Sequence, residues 1–266
     1  MISLLLFLSV LPVVILMVFI YRQDKYQKEP VKSLAKAFIG GMLAIPLDMV
    51  IVGLINRIWV SDSVFYTAFW EAGIPEELSK FLIFMIFIWR DKNFDEYMDG
   101  IVYASFIGLG FACVENIMYV FSAASESLGG GISTGIVRAL LSVPGHFLFG
   151  VVMGYFLSLA KFQPEKRTRY LLTGLLAAML AHGLFDWLLM IQELLSPAIG
   201  GILYLVFLWG DIKLWKLGLK YINKQQQNSR VQAQENLLND LDYQIGDANK
   251  NYDSEYKRID WNAGER

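Results

Sequence analysis

Pro75-Glu76-Glu77-Leu78-Ser79-Lys80 interrupts a largely apolar stretch that runs from Val64 to Trp89. Carboxylates inside such a segment cost a few kcal/mol each when a membrane helix inserts. Pro75 suits the first turn of a helix, because its missing N–H would have found no partner there. Glu76 and Glu77 then fall where the helix dipole favours negative charge. Lys80 follows them by four and three residues, within reach of either. The stretch predicts a membrane helix broken at Pro75 that presents a braced carboxylate pair to a polar cavity. The plainer alternative is a helix that begins at the membrane interface, with its acids in headgroup water.

The rest of the chain supports a membrane setting. Of its 266 residues, 55% are hydrophobic, above the usual share of a soluble domain. The apolar residues come in long runs, which predicts an all-α, polytopic transmembrane helix bundle. A net charge of −2 with no Lys/Arg cluster gives no sign of a nucleic-acid partner. The single cysteine, Cys113, excludes an internal disulfide.

About seven spans are expected. Met1–Tyr21 reads as a retained first span, since no basic region precedes it and no small-residue cleavage site follows. The second span covers about Ala37–Ile55 and contains Asp48. The third is the broken one, and the fourth runs from Gly100 to about Phe121 with Glu115 and Asn116 inside. A Gly/Ser loop over Ser122–Gly135 precedes a fifth span, about Ile136–Ala160, which holds His146. The sixth, Tyr170–Ile191, holds His182 and Asp186, and the seventh runs from Ala198 to about Leu217. Three regions follow: residues 1–36 as an anchor and basic loop, 37–224 as the working bundle, and 225–266 as a polar tail, disordered or loosely helical. Fifteen Lys/Arg fall on one side of the spans and two, Arg57 and Arg138, on the other. By the positive-inside rule the N-terminus is outside and the tail is in the cytoplasm.

The polar residues within the spans share a depth. Counted at ~1.5 Å per residue from the basic end of each helix, Glu76, Glu115, His146, His182 and Asp48 all lie roughly 18–24 Å in. Against a hydrocarbon core of about 30 Å, that is the outer half of the membrane. Unrelated helices thus contribute to one shared site. It contains both histidines of the chain, and His182 and Asp186 are spaced to share a helix face. No nucleophile pattern accompanies them.

Three chemistries use such a set. A Glu and a His can activate water for attack on a peptide bond, with His or Asn stabilising the oxyanion. Alternatively Glu, Asp and His ligands hold a divalent metal such as zinc, from a set of Glu77, Glu115, His146, His182 and Asp186. The H-E-x-x-H signature is absent, so those ligands would come from separate spans. A proton-coupled transporter also places carboxylates and histidines near the midplane of broken helices.

Taken together, Glu76-Glu77-x-x-Lys80, Phe111-x-x-x-Glu115-Asn116, Gly145-His146 and His182-x-x-x-Asp186, in that order on successive spans, resemble the PrsW family of intramembrane proteases. That family is distantly related to the CAAX prenyl proteases and the abortive-infection membrane proteins. The resemblance covers roughly Ala37–Leu217. It implies a peptidase of the cell membrane with Glu76, Glu77, His146 and His182 as catalytic residues and Lys80, Glu115, Asn116 and Asp186 supporting them. It leaves open whether a metal takes part. The CAAX relatives usually carry His where this chain has Glu115, which argues against a prenyl-peptide substrate. The implied substrate is a single-span membrane protein, an anti-sigma factor cut first on its extracytoplasmic side to release an alternative sigma factor under envelope stress.

Overall fold

The protein, described by a computed structural model over residues 2–263, is an all-helical membrane bundle. Its helices are α1 (Ile2–Gln23), α2 (Val31–Ile58), the short α3 (Val64–Tyr66), α4 (Ile74–Phe87), α5 (Tyr97–Glu126), α6 (Leu128–Leu140), α7 (Ser142–Phe162), α8 (Arg167–Ile191) and α9 (Pro197–Ala263). Among the described residues six stretches are long and apolar enough to cross a membrane, α6 and α7 counting as one. The α3–α4 segment, with its glutamate pair, makes a seventh. This is a multi-pass membrane protein.

The break expected at Pro75 takes a specific form. The backbone does not unwind; between α3 and α4, Thr67–Gly73 widens into a π-helix, with Ile74 N–H donating to Phe69 O. Proline has no N–H and crowds the carbonyl one turn earlier, and a wider turn is one way a helix absorbs that. The result places Glu76 and Glu77 in the first turn of α4.

Helices α5 and α7 form the buried centre. Their closeness depends on small residues: a Cβ on Gly108 would lie 2.7 Å from His146 O, and one on Gly150 2.8 Å from Ala104 O. Without a hydrophobic drive between helices in lipid, such close backbone packing holds them together.

Two regions differ from the sequence reading. The Gly/Ser stretch is helical: α5 continues to Glu126, and the Ser127 hydroxyl accepts from Gly130 N–H at 3.0 Å to start α6, a standard N-cap. The tail is not separate from the last span. No proline follows Pro197, and α9 runs on as one helix. Its Gln225, Gln226 and Ser229 are buried. Gln225 donates to Tyr155 O (3.0 Å), Gln226 to Gln23 O (2.6 Å), and Ser229 accepts from Met98 N–H (2.9 Å). The region assigned to the polar tail thus begins as part of the packed bundle.

The same end carries buried acids between helices. Asp24, Glu29 and Glu96 lie in connections and are nearly inaccessible. Burial raises the pKa of all three, Glu29 to about 8 and Glu96 to about 9. The Tyr103 hydroxyl donates to Glu29.

Candidate active site

Three helices bring four donor side chains to one point. Glu76 and Glu77 come from α4, His146 from α7 and His182 from α8, each offering an atom within 4.8 Å of the others. All four are buried. They are far apart in sequence except for the glutamate pair, so only the packing of α4, α7 and α8 assembles them.

The contacts are specific. Lys80, one turn on from the glutamates, donates to Glu76 Oε2 at 3.1 Å and to Glu77 Oε1 at 2.8 Å. Its ammonium also lies 3.0 Å from His146 Nδ1. An ammonium has no lone pair, so that nitrogen accepts, and the His146 proton sits on Nε2. Nε2 faces Glu115 Oε2 at 2.8 Å. His182 is arranged in the same way: Nδ1 stands 2.9 Å from Glu77 Oε1, and Nε2 3.3 Å from Asp186 Oδ2. The spacing of four puts His182 and Asp186 on one helix face and in contact. Glu76 is held less tightly than Glu77, its Oε2 lying 3.9 Å from Nδ1 of each histidine.

Apolar rings fix the imidazoles. Phe149 stacks on His182 with centroids 4.6 Å apart, and the two histidines meet edge to face at 5.1 Å. Phe111 lies beneath the Lys80 ammonium at 4.0 Å.

The residues at the edge of the site were read only in part from sequence. Glu115 and Asp186 do not join the four donors; each holds the outer nitrogen of a histidine. Asn116 turns away, donating to Ser9 O on α1 at 2.8 Å and accepting from Arg138 Nε at 3.0 Å. Asp48 has one carboxylate oxygen buried without a partner. Arg138, on α6, is in the sequence reading only an outer charge. It bonds Glu115 Oε2 at 2.7 Å and covers the Tyr119 ring. Its position in an apolar stretch was the available signal, since a membrane-buried arginine needs a carboxylate.

The arrangement fits a divalent metal. The four donors are oxygen and nitrogen, as zinc accepts. Both histidines turn Nδ1 inward and rest Nε2 on a carboxylate, the usual support for a metal-binding imidazole. Glu77 Oε2 is buried with no hydrogen-bond partner, an oxygen that a cation would satisfy. Around the cluster stand four carboxylates, Glu76, Glu77, Glu115 and Asp186, and only two side chains of fixed positive charge, Lys80 and Arg138, with the two histidines making the remaining pairs.

The chain is similar to known proteins. The family described as PrsW family intramembrane metalloprotease matches residues 29–210. A "Protease PrsW" of Clostridioides difficile is 35% identical over 228 residues, covering 84% of this chain and 92% of that protein. Proteins of the same name from Geobacillus kaustophilus and Bacillus subtilis are each 36% identical, over 76% of this chain and 85% and 88% of theirs. No solved structure matches.

Proposed function

We propose, for a chain that belongs to the PrsW family of intramembrane metalloproteases, that the glutamate–histidine cluster is the centre at which it hydrolyses its membrane-protein substrate. As a peptidase of that family the chain is not the transporter that its buried Glu/His set also allowed. The observation that carries the reading is the convergence of Glu76, Glu77, His146 and His182 within 4.8 Å.

Glu77, His146 and His182 are assigned as the ligands of a divalent ion, because each histidine is held from behind by a carboxylate and Glu77 has a buried oxygen with no hydrogen-bond partner. Three protein ligands leave a position for reactants. When bound, the ion supplies Lewis acidity to the scissile carbonyl and the attacking water. Glu76 is the remaining carboxylate and the looser one, which suits a general base. It takes a proton as the water oxygen bonds to the carbonyl carbon. It returns that proton to the amide nitrogen as the C–N bond breaks. Glu115 and Asp186 position the imidazoles, and Arg138 keeps Glu115 in place. Burial keeps bulk water away and strengthens each of these interactions.

The substrate proposed is a single-span anti-sigma factor. With the basic loops in the cytoplasm, the cluster lies in the outer half of the bilayer, which suits a first cut near the extracytoplasmic side. That cut would begin release of an alternative sigma factor in envelope stress. The test is co-expression with a tagged anti-sigma factor, followed by immunoblot for wild type and Glu77→Gln. A shortened product with wild type alone supports the reading. A product with both would remove Glu77 from the centre, and no product with either would reject that substrate.

A further inference from the structure

The Lys80 ammonium stands inside the donor set rather than beside it. It touches Glu76 Oε2 at 3.1 Å, Glu77 Oε1 at 2.8 Å and His146 Nδ1 at 3.0 Å. These atoms belong to three of the four residues that converge within 4.8 Å. The side chain is 4% exposed, so bulk water scarcely reaches it. A metal bonds such atoms at about 2.0–2.2 Å through the same lone pairs that Lys80 uses. Two cations on one set of donors would also repel strongly in a dry cavity.

We propose that Lys80 is the resident cation of the metal-free site: its ammonium holds the donors together until a divalent ion displaces it, so metal binding and the Lys80 contacts are mutually exclusive. Two features support this role. The flexible four-carbon stem lets the ammonium move while its Cα stays in α4. The Phe111 ring, 4.0 Å from Nζ, adds a cation–π contact that favours the occupied position. Lys80 thereby keeps a four-donor cavity from being unpaired and buried while it awaits its ion, at the expense of affinity for that ion. A residue of the Glu-Glu-x-x-Lys stretch is then a competitor of the metal, not a helper in binding it.

The inference rests on the metal reading of the site. Its test measures affinity rather than cleavage, so its failure leaves the protease assignment standing. The full chain in lipid nanodiscs is stripped with a chelator and titrated with Zn(II) against a chromophoric zinc indicator. Lys80→Met should bind zinc at least about tenfold more tightly than wild type, and Phe111→Leu about threefold, from loss of the ring contact. The double variant should match Lys80→Met, because Phe111 acts only through the ammonium. Chelation should also lower the melting temperature of Lys80→Met more than that of wild type, which has its own cation. Equal or weaker zinc binding by Lys80→Met, or no zinc bound by either protein, overturns the proposal. If Lys80→Met is not recovered folded, Phe111→Leu decides alone: tighter binding supports the proposal, and unchanged or weaker binding overturns it.

Discussion

His146 Nε2 stands 2.8 Å from Glu115 Oε2, and the same oxygen is held by Arg138 Nη2 at 2.7 Å. The imidazole that faces the glutamate pair is therefore oriented by a helix, α6, that contributes no donor to the cluster. Glu115→Gln keeps the shape but removes the charge. It should lower zinc affinity and cleavage by about 10- to 100-fold, the usual cost of losing such a support. Arg138→Ala should cost less, and Arg138→Lys should recover only part, because an ammonium cannot bond Glu115 and Asn116 in the planar fork that guanidinium uses. Unchanged zinc affinity in Glu115→Gln would remove it from this role.

The four converging residues should be individually essential. Glu76→Gln, Glu77→Gln, His146→Ala and His182→Ala are each expected to abolish cleavage while the protein still inserts at normal levels. Only Glu76→Gln should retain near-normal zinc content, since Glu76 is assigned as base and not ligand. Metal analysis of the purified variants separates the two roles. A zinc-free Glu76→Gln protein would make it a ligand.

The chain after α9 leaves the bundle has a defined point of no return. Residues 233–245 are exposed, so ending the protein after Gln232 should leave its stability and activity close to normal. Ending it before Gln225 also removes the hydrogen bonds by which Gln225, Gln226 and Ser229 hold Tyr155, Gln23 and Met98. At ~1 kcal/mol net for each, the melting temperature should fall by about 5–10 °C. Equal melting of the two truncations would show that these contacts add nothing.

Stability should fall as pH rises through neutrality. Burial moves the Glu29 carboxyl from 4.5 to about 8, so the folded state holds this proton more tightly than the unfolded chain does. Between those two values the folded protein binds the extra proton. Each rise in pH therefore favours unfolding, and the loss is complete above about 8. Glu29→Gln should flatten that decline. Melting temperatures at pH 6 and pH 8.5 test it; parallel curves for variant and wild type would contradict the assignment.

The spacing in Glu76-Glu77-x-x-Lys80 was legible because a helix fixes neighbours three and four apart whatever surrounds it. His182 and Asp186 were readable for the same reason. The membrane class followed from runs of apolar residues, and the shared site from the equal depth of costly ones, since a bilayer assigns depth by simple counting along a helix. Those statements need only local geometry and a solvent.

What counting along the chain does not contain is rotation about each helix axis and which helices touch. Those decide that Glu76 joins the four donors while Glu115 stands behind His146, although both lie at similar depth. They turn Asn116 toward Ser9 and Arg138, and bring Arg138, which the sequence places only as a charge near the outer end of the fifth span, onto Glu115. They also place the Lys80 ammonium among the donors. The sequence by itself determined that this is a membrane bundle with one buried polar level. Only the tertiary structure decided which donor side chains converge, which residues stand behind them and where the Lys80 ammonium sits. The reason is physical: depth is set by one helix and the bilayer, whereas coordination depends on close packing between several helices, which small residues such as Gly108 and Gly150 permit.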